Sequence, residues 1–217
     1  MRKSQKNFVK GAAVLGGMGF VSKLIGAVYT IVSTYIVGTN GMSYYSTAFP
    51  VYTFLLAISS AGLPVAIAKM VAERTALGDY KAAYAVFRKA IKAMFFIGLV
   101  TTIIMAVLSG QIAAALGRPD ANYAILAIAP SLFFVALMSA YRGYFQGMHR
   151  MTPTAVSQII EQVVKVIAGL TLASLLIKKG DIYAAAGAVA GVSVSELFAF
   201  IYMMVLYKRK LKIFRRS

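Results

Sequence analysis

Cysteine is absent from this chain, histidine occurs once, and Asp and Glu together number six in 217 residues. The first absence excludes disulfides, thiol catalysis and thiolate metal sites. With His149 the single histidine, a histidine metal cluster within one chain is excluded as well. There is no Walker loop, no pair of carboxylates at catalytic spacing and no Ser/His/Asp grouping, so neither an enzyme nor a cofactor is expected. Charged residues of both signs make up only 13% of the chain, against 60% hydrophobic residues. A soluble domain of this length could not hide that much apolar surface.

What is present is a succession of apolar runs. Six candidate spans fall at about residues 11–37, 44–68, 91–115, 123–145, 154–177 and 182–207. Each is close to the roughly 20 residues that a helix needs to cross a bilayer. A β-barrel would instead alternate over segments of about ten residues. The expected fold class is therefore an all-α integral membrane protein, a six-helix bundle over residues 1–207 with a basic tail or linker at 208–217. Arg2, Lys3, Lys6 and Lys10 before the first run resemble a signal peptide, but the run is too long and lacks a cleavage site. A retained first helix is expected.

The net charge of +17 reflects 23 Lys and Arg collected in the connections and tails. Most lie before the first span, in the 69–92 connection, at Arg142 and Arg150, and in the tail from Lys208 to Arg216. The opposite side holds Arg118, Lys178 and Lys179. That asymmetry follows the positive-inside rule and puts both termini of a multi-pass membrane protein in the cytoplasm. It is not a nucleic-acid signature. The opposite loops, 38–41, 117–120 and 178–181, are short and rich in turn residues. In the long connection Asp79 is a candidate N-cap. Tyr80, Tyr84 and Phe87 share a face opposite Lys81, Arg88 and Lys89, the pattern of an interfacial amphipathic helix or of a solvated connector.

Ionisable residues inside the apolar runs are the main lead to function. A charge at the bilayer centre costs roughly 2.5–3.5 kcal/mol on insertion scales. Gln158, Glu161, Gln162 and Lys165 recur at three- and four-residue spacing and share one helical face. Glu161 precedes Lys165 by four residues, the better orientation for an ion pair. Two readings are open: a polar stripe lining a cavity, or a self-satisfied pair that packs one helix on another. Lys23, beside Ser22, interrupts the first span, with Glu161 or Glu196 as candidate partners. Glu196 lies centrally in the sixth span between polar neighbours and is a candidate coupling carboxylate. Arg142 closes the fourth span, as a belt residue or as a cytoplasmic gate facing phosphate. Gly62 and Pro64 break the second span, and Pro130 bends the fourth. Gly16, Gly17, Gly19 and Gly26 thin the first helix, for close helix contact or for bending.

The run from Arg142 through Gly147, with Pro153 to Gln158 and Glu161 to Val164, resembles polysaccharide-biosynthesis proteins of the stage V sporulation protein B type. Gly62 to Ile67, Lys69, Val71 to Glu73, Gly78-Asp79 and Ser22 to Gly26 fit the same group. It belongs to the multidrug/oligosaccharidyl-lipid/polysaccharide exporter superfamily, which includes the MurJ-type lipid II flippases. The resemblance covers nearly the whole chain. It implies one lobe of a flippase for an undecaprenyl-pyrophosphate-linked saccharide, lipid II or a polysaccharide precursor, working by alternating access. The partners it implies are that lipid-linked oligosaccharide, membrane lipids and a second lobe, supplied by a missing C-terminal half, a separate chain or a second copy. Lys23 matches a basic position in the first helix of such proteins. With Gln158, Glu161, Gln162 and Lys165 it makes the expected substrate-binding set. The further arginines of the Gram-negative-type flippases have no counterpart between Lys23 and Lys69. A cation-coupled multidrug exporter of the same superfamily and a non-transporting membrane scaffold are the alternatives.

Overall fold

In the computed structural model the backbone is described for residues 2–60 and 62–214, with side chains for residue 11, 13–58 and 62–209. Ala61 falls outside those limits, as do the side chains of Arg2, Lys3, Lys6 and Lys10 and those of the tail from residue 210 on. Every regular element described is helical. The order is α1 (Arg2–Ser60), α2 (Leu63–Ala76), α3 (Tyr80–Val107), α4 (Ser109–Ala115), α5 (Asn122–Gly147), α6 (Thr152–Leu176) and α7 (Asp181–Phe214). Short 3-10 turns at Pro119–Ala121 and Ile177–Lys179 lead into α5 and α7.

Among the described residues, five segments are long and apolar enough to cross a bilayer, the first of them Ala13–Ala76, 64 residues. Straight, it would be about 96 Å long, three times the roughly 30 Å hydrocarbon core. Gly38 shortens it. Its φ of 74° and ψ of 170° interrupt the helical backbone of α1, a conformation open to glycine. The arms on either side then run back along α7. Before the break, the Tyr29 hydroxyl donates to the Ala188 carbonyl at 2.7 Å. After it, a Cβ on Gly41 would stand 3.1 Å from the Asp181 carbonyl oxygen. Farther on, Tyr52 lies within the electrostatic reach of Glu196. The second arm therefore descends as the first one rises. Gly62, with φ 76°, makes the next break, and Pro64 sits in the first turn of α2, where its missing N–H costs nothing.

The expected third span is displaced. Helix α3 begins at Tyr80, capped by the Asp79 carboxylate, which accepts from the Ala82 N–H at 2.8 Å. It then runs unbroken to Val107, and α4 follows after a kink at Leu108. Residues 80–90, expected as an interfacial helix or a connector, are thus the first turns of the span itself. Phe87 is buried at the start of the span itself, packed on Tyr141 and Tyr207 at ring-centroid distances of 5.0 and 4.5 Å. Pro130 leaves α5 a single helix.

Helix α5 is the hub. A Cβ on Gly143 would come 2.7 Å from the Pro64 carbonyl oxygen, and one on Gly147 2.6 Å from that of Ala68, so α2 lies against α5 backbone to backbone. Thr102 of α3 donates to the Ala129 carbonyl at 3.2 Å, and Ser193 of α7 to that of Ala127 at 2.7 Å. Small residues and hydroxyls at helix contacts are the usual means of association where lipid removes the hydrophobic drive. Gly16, Gly17 and Gly19, read as contact residues, have nothing within 4 Å of a Cβ. Of that group only Gly26 faces a neighbour, α6.

Candidate functional site

The polar face of α6 does turn inward, but its partners differ from those the spacing implies. Glu161 pairs with Arg142 of α5 and not with Lys165. Arg142 also holds Ser157, through Nε at 3.1 Å and Nη2 at 2.8 Å. Ser157 in turn donates to the Thr154 carbonyl at 2.7 Å. A guanidinium presents several donors in a rigid fork, so it can serve a hydroxyl and a carboxylate one turn apart on the same helix. That geometry outcompetes an i,i+4 lysine. It also corrects the belt reading of Arg142, whose side chain is turned into the bundle, only 18% exposed.

Lys165, released from Glu161, donates to Gln162 Oε1 at 2.6 Å and stands over the Tyr29 ring, 5.4 Å from its centroid. Such a placement is favourable for a cation. One turn farther along α6, a Cβ on Gly169 would strike the Tyr29 ring, with ring carbons at 3.0 Å. Gly191 of α7 packs against the backbone of Gly169. Three helices thus meet where α6 and α7 have no side chain, and Tyr29 fills the gap while its hydroxyl ties α1 to α7.

Glu196 is buried on α7, and its Oε2 has no hydrogen-bond partner among the described residues. Glu161, Arg142 and Lys165 all act on it electrostatically. Gln158 Oε1 is likewise buried and unpartnered. Arg142, Glu161, Lys165 and Glu196 therefore form one charged group drawn from α5, α6 and α7. Lys165 lies about 20 Å along α6 and Glu196 about 22 Å along α7, at 1.5 Å per residue, so these two sit at mid-helix depth, with Glu161 one turn and Arg142 farther toward the α5–α6 connection.

Lys23 does not join it. Ser22 is buried, and Lys23, one residue or about 100° farther round the helix, is exposed with Phe20, Leu24 and Val28. It makes no ion pair with a described carboxylate. Neither Glu161 nor Glu196 is its partner, because α1 turns a different face to α6 and α7. Tyr29 and Gly191 were missed as site residues. A tyrosine hydroxyl within the first apolar run, which Tyr35 shares, was a weak signal for the first; a glycine in a helix of small residues gave none for the second. Among the described residues no group of three or more His, Asp or Glu is placed to hold a metal ion.

This arrangement is found in a chain with clear relatives. It is 31% identical over 208 residues to stage V sporulation protein B of Bacillus subtilis, covering 95% of this chain and 40% of that protein. It is 29% identical over 215 residues to the lipid II flippase MurJ of the same organism, again covering 40% of the relative. The chain thus spans about two fifths of the length of the curated relatives it matches. Its fold is that of crystal structures of MATE. The one in complex with MaD3S aligns with a TM-score of 0.80 at 15% identity, over 92% of this chain and 45% of that one. The one in complex with Br-NRF gives 0.72. The model of the polysaccharide biosynthesis protein family matches residues 8–217, and the chain belongs to that family, within the multidrug/oligosaccharidyl-lipid/polysaccharide exporter superfamily.

Proposed function

We propose that this chain is one lobe of an alternating-access flippase that moves an undecaprenyl-pyrophosphate-linked saccharide across the bacterial cell membrane. The observation that carries the reading is the buried charged group that runs from Arg142 and Glu161 to Lys165 and Glu196 at mid-helix depth, in a chain two fifths the length of its relatives. An intramembrane charge is expensive, and it normally marks a polar path. The lobe crosses six times, because the 64-residue first segment makes two passes about Gly38, and residues 1–207 form it. Both termini are cytoplasmic, residues 208–217 leading toward the second lobe, which is a C-terminal half, a separate chain or a second copy.

In this reading Lys165 and Lys23 attract the pyrophosphate while the polyprenyl tail stays in lipid. Gln158 and Gln162 offer hydrogen bonds to the sugar or peptide. Arg142 holds Glu161 in place at the cytoplasmic side of the group. Lys23 reaches the head group only when the second lobe closes over the exposed face of α1. The test is lipid II flipping by proteoliposomes holding this lobe with its second lobe. Lys165→Ala and Lys23→Ala should each abolish flipping with the fold intact; normal flipping in both would remove these residues from the site.

The buried Glu196, whose Oε2 has no hydrogen-bond partner among the described residues, favours one further reading, a cation-coupled exporter. Such an exporter needs the carboxylate and not the lysines. Loss of transport in Glu196→Gln with full activity in Lys23→Ala would select it.

A further inference from the structure

The turn between α2 and α3 opens into a groove that has no part in the charged group. Its volume is about 510 Å³, within the roughly 300–1,000 Å³ of small-molecule sites. The floor is apolar, formed by Leu63, Ile67, Val86 and Met94, and alanines such as Ala66 and Ala85 keep it open. Its mouth is basic. Arg74 borders it from α2 and Lys89 from α3, both exposed. Lys89 continues into a second shallow depression with Arg88 and Lys92. Arg88 lies over the Tyr84 ring, 5.9 Å from its centroid, which leaves Lys89 and Arg74 facing the groove. Neither has an ion pair with a described carboxylate, and of the nearby acidic residues Asp79 is engaged as the cap of α3.

We propose that this groove binds an anionic phospholipid, one acyl chain along the apolar floor and the phosphate between Arg74 and Lys89. The match is one of charge and polarity: an apolar slot opening at headgroup depth between two free cations suits an amphiphile with a negative head. A zwitterionic lipid brings a choline or amine to the same cations. A peptide would leave its backbone groups unsatisfied on an apolar floor. The assignment rests on the chain being a membrane lobe with the α2–α3 turn at the cytoplasmic surface. Binding is read without any transport step, so its failure and a failure of flipping are told apart.

The test uses the full chain in phosphatidylcholine nanodiscs doped with phosphatidylglycerol that carries a photoreactive acyl chain. Cross-links should map to residues 63–70 and 86–94. Excess phosphatidylglycerol should compete and phosphatidylcholine should not. Each basic residue beside an anionic headgroup is worth on the order of a fivefold change in affinity, so Arg74→Gln with Lys89→Gln should weaken competition roughly 25-fold. Ala85→Trp, at an exposed position, should fill the groove and remove the mapped cross-links with both cations kept. Cross-links spread evenly over the lipid-facing helices, equal labelling by a phosphatidylcholine probe, or unchanged labelling in both variants would overturn the assignment.

Discussion

Arg142 and Glu161 neutralise each other inside the bundle, and removing either strands the other. Glu161→Gln should therefore lower stability by about 3 kcal/mol, the usual cost of breaking a buried pair. The double change Arg142→Met with Glu161→Met should recover most of the loss, because apolar replacement of both partners is commonly near neutral. Thermal unfolding in detergent measures both, and a coupling energy near zero in the double-mutant cycle would refute the pairing. Tyr29→Phe isolates a smaller term. It keeps the ring under Lys165 but deletes the bond to Ala188, and should cost about 1 kcal/mol in the same assay.

At the scale of the helices, contact and openness make opposite predictions for the same chemical change. Gly191 packs on the backbone of Gly169, so Gly191→Ala forces α6 and α7 apart and should cost about 1–3 kcal/mol. Gly17 faces open space, so Gly17→Ala should be neutral or stabilising by up to about 1 kcal/mol through helix propensity. Equal effects at the two sites, read as unfolding midpoints, would contradict the packing of α1, α6 and α7. The turn at Gly180, the breaks at Gly38 and Gly62 and the cap at Asp79 were legible in the sequence, because each depends on a residue and its immediate neighbours, although the loop expected over 38–41 is a break at Gly38 alone. The continuity of α3 from Tyr80 into the bilayer was not. The pattern of Tyr84 and Phe87 against Lys81 and Arg88 is the same for a helix lying on the surface and for the first turns of a span. Burial of Phe87 against α5 and α7 selects the second.

The molecule as a whole leaves much of α1 uncovered, with Phe20, Leu24, Val28 and Ile31 exposed beside Lys23. In the flippase reading that face meets the second lobe. Val28→Trp should then leave the unfolding midpoint of this chain unchanged yet abolish both assembly with the second lobe, measured as particle mass in native-like lipid, and flipping. If the face meets only lipid, the substitution changes none of the three.

The class of the protein can be read from hydropathy and span length, which act locally along the chain, and the polar face of α6 from spacing, because residues three and four apart must share a side of a helix. Which charge answers which is settled by the packing of the helices. Glu161 takes Arg142, Lys165 takes Gln162 and the Tyr29 ring, the Oε2 of Glu196 is left without a hydrogen-bonding partner among the described residues, and Lys23 stays outside. Those choices depend on how α1, α5, α6 and α7 are rotated against one another, and helix rotation is set by glycine contacts such as Gly169 with Gly191, which no spacing within a single span can encode.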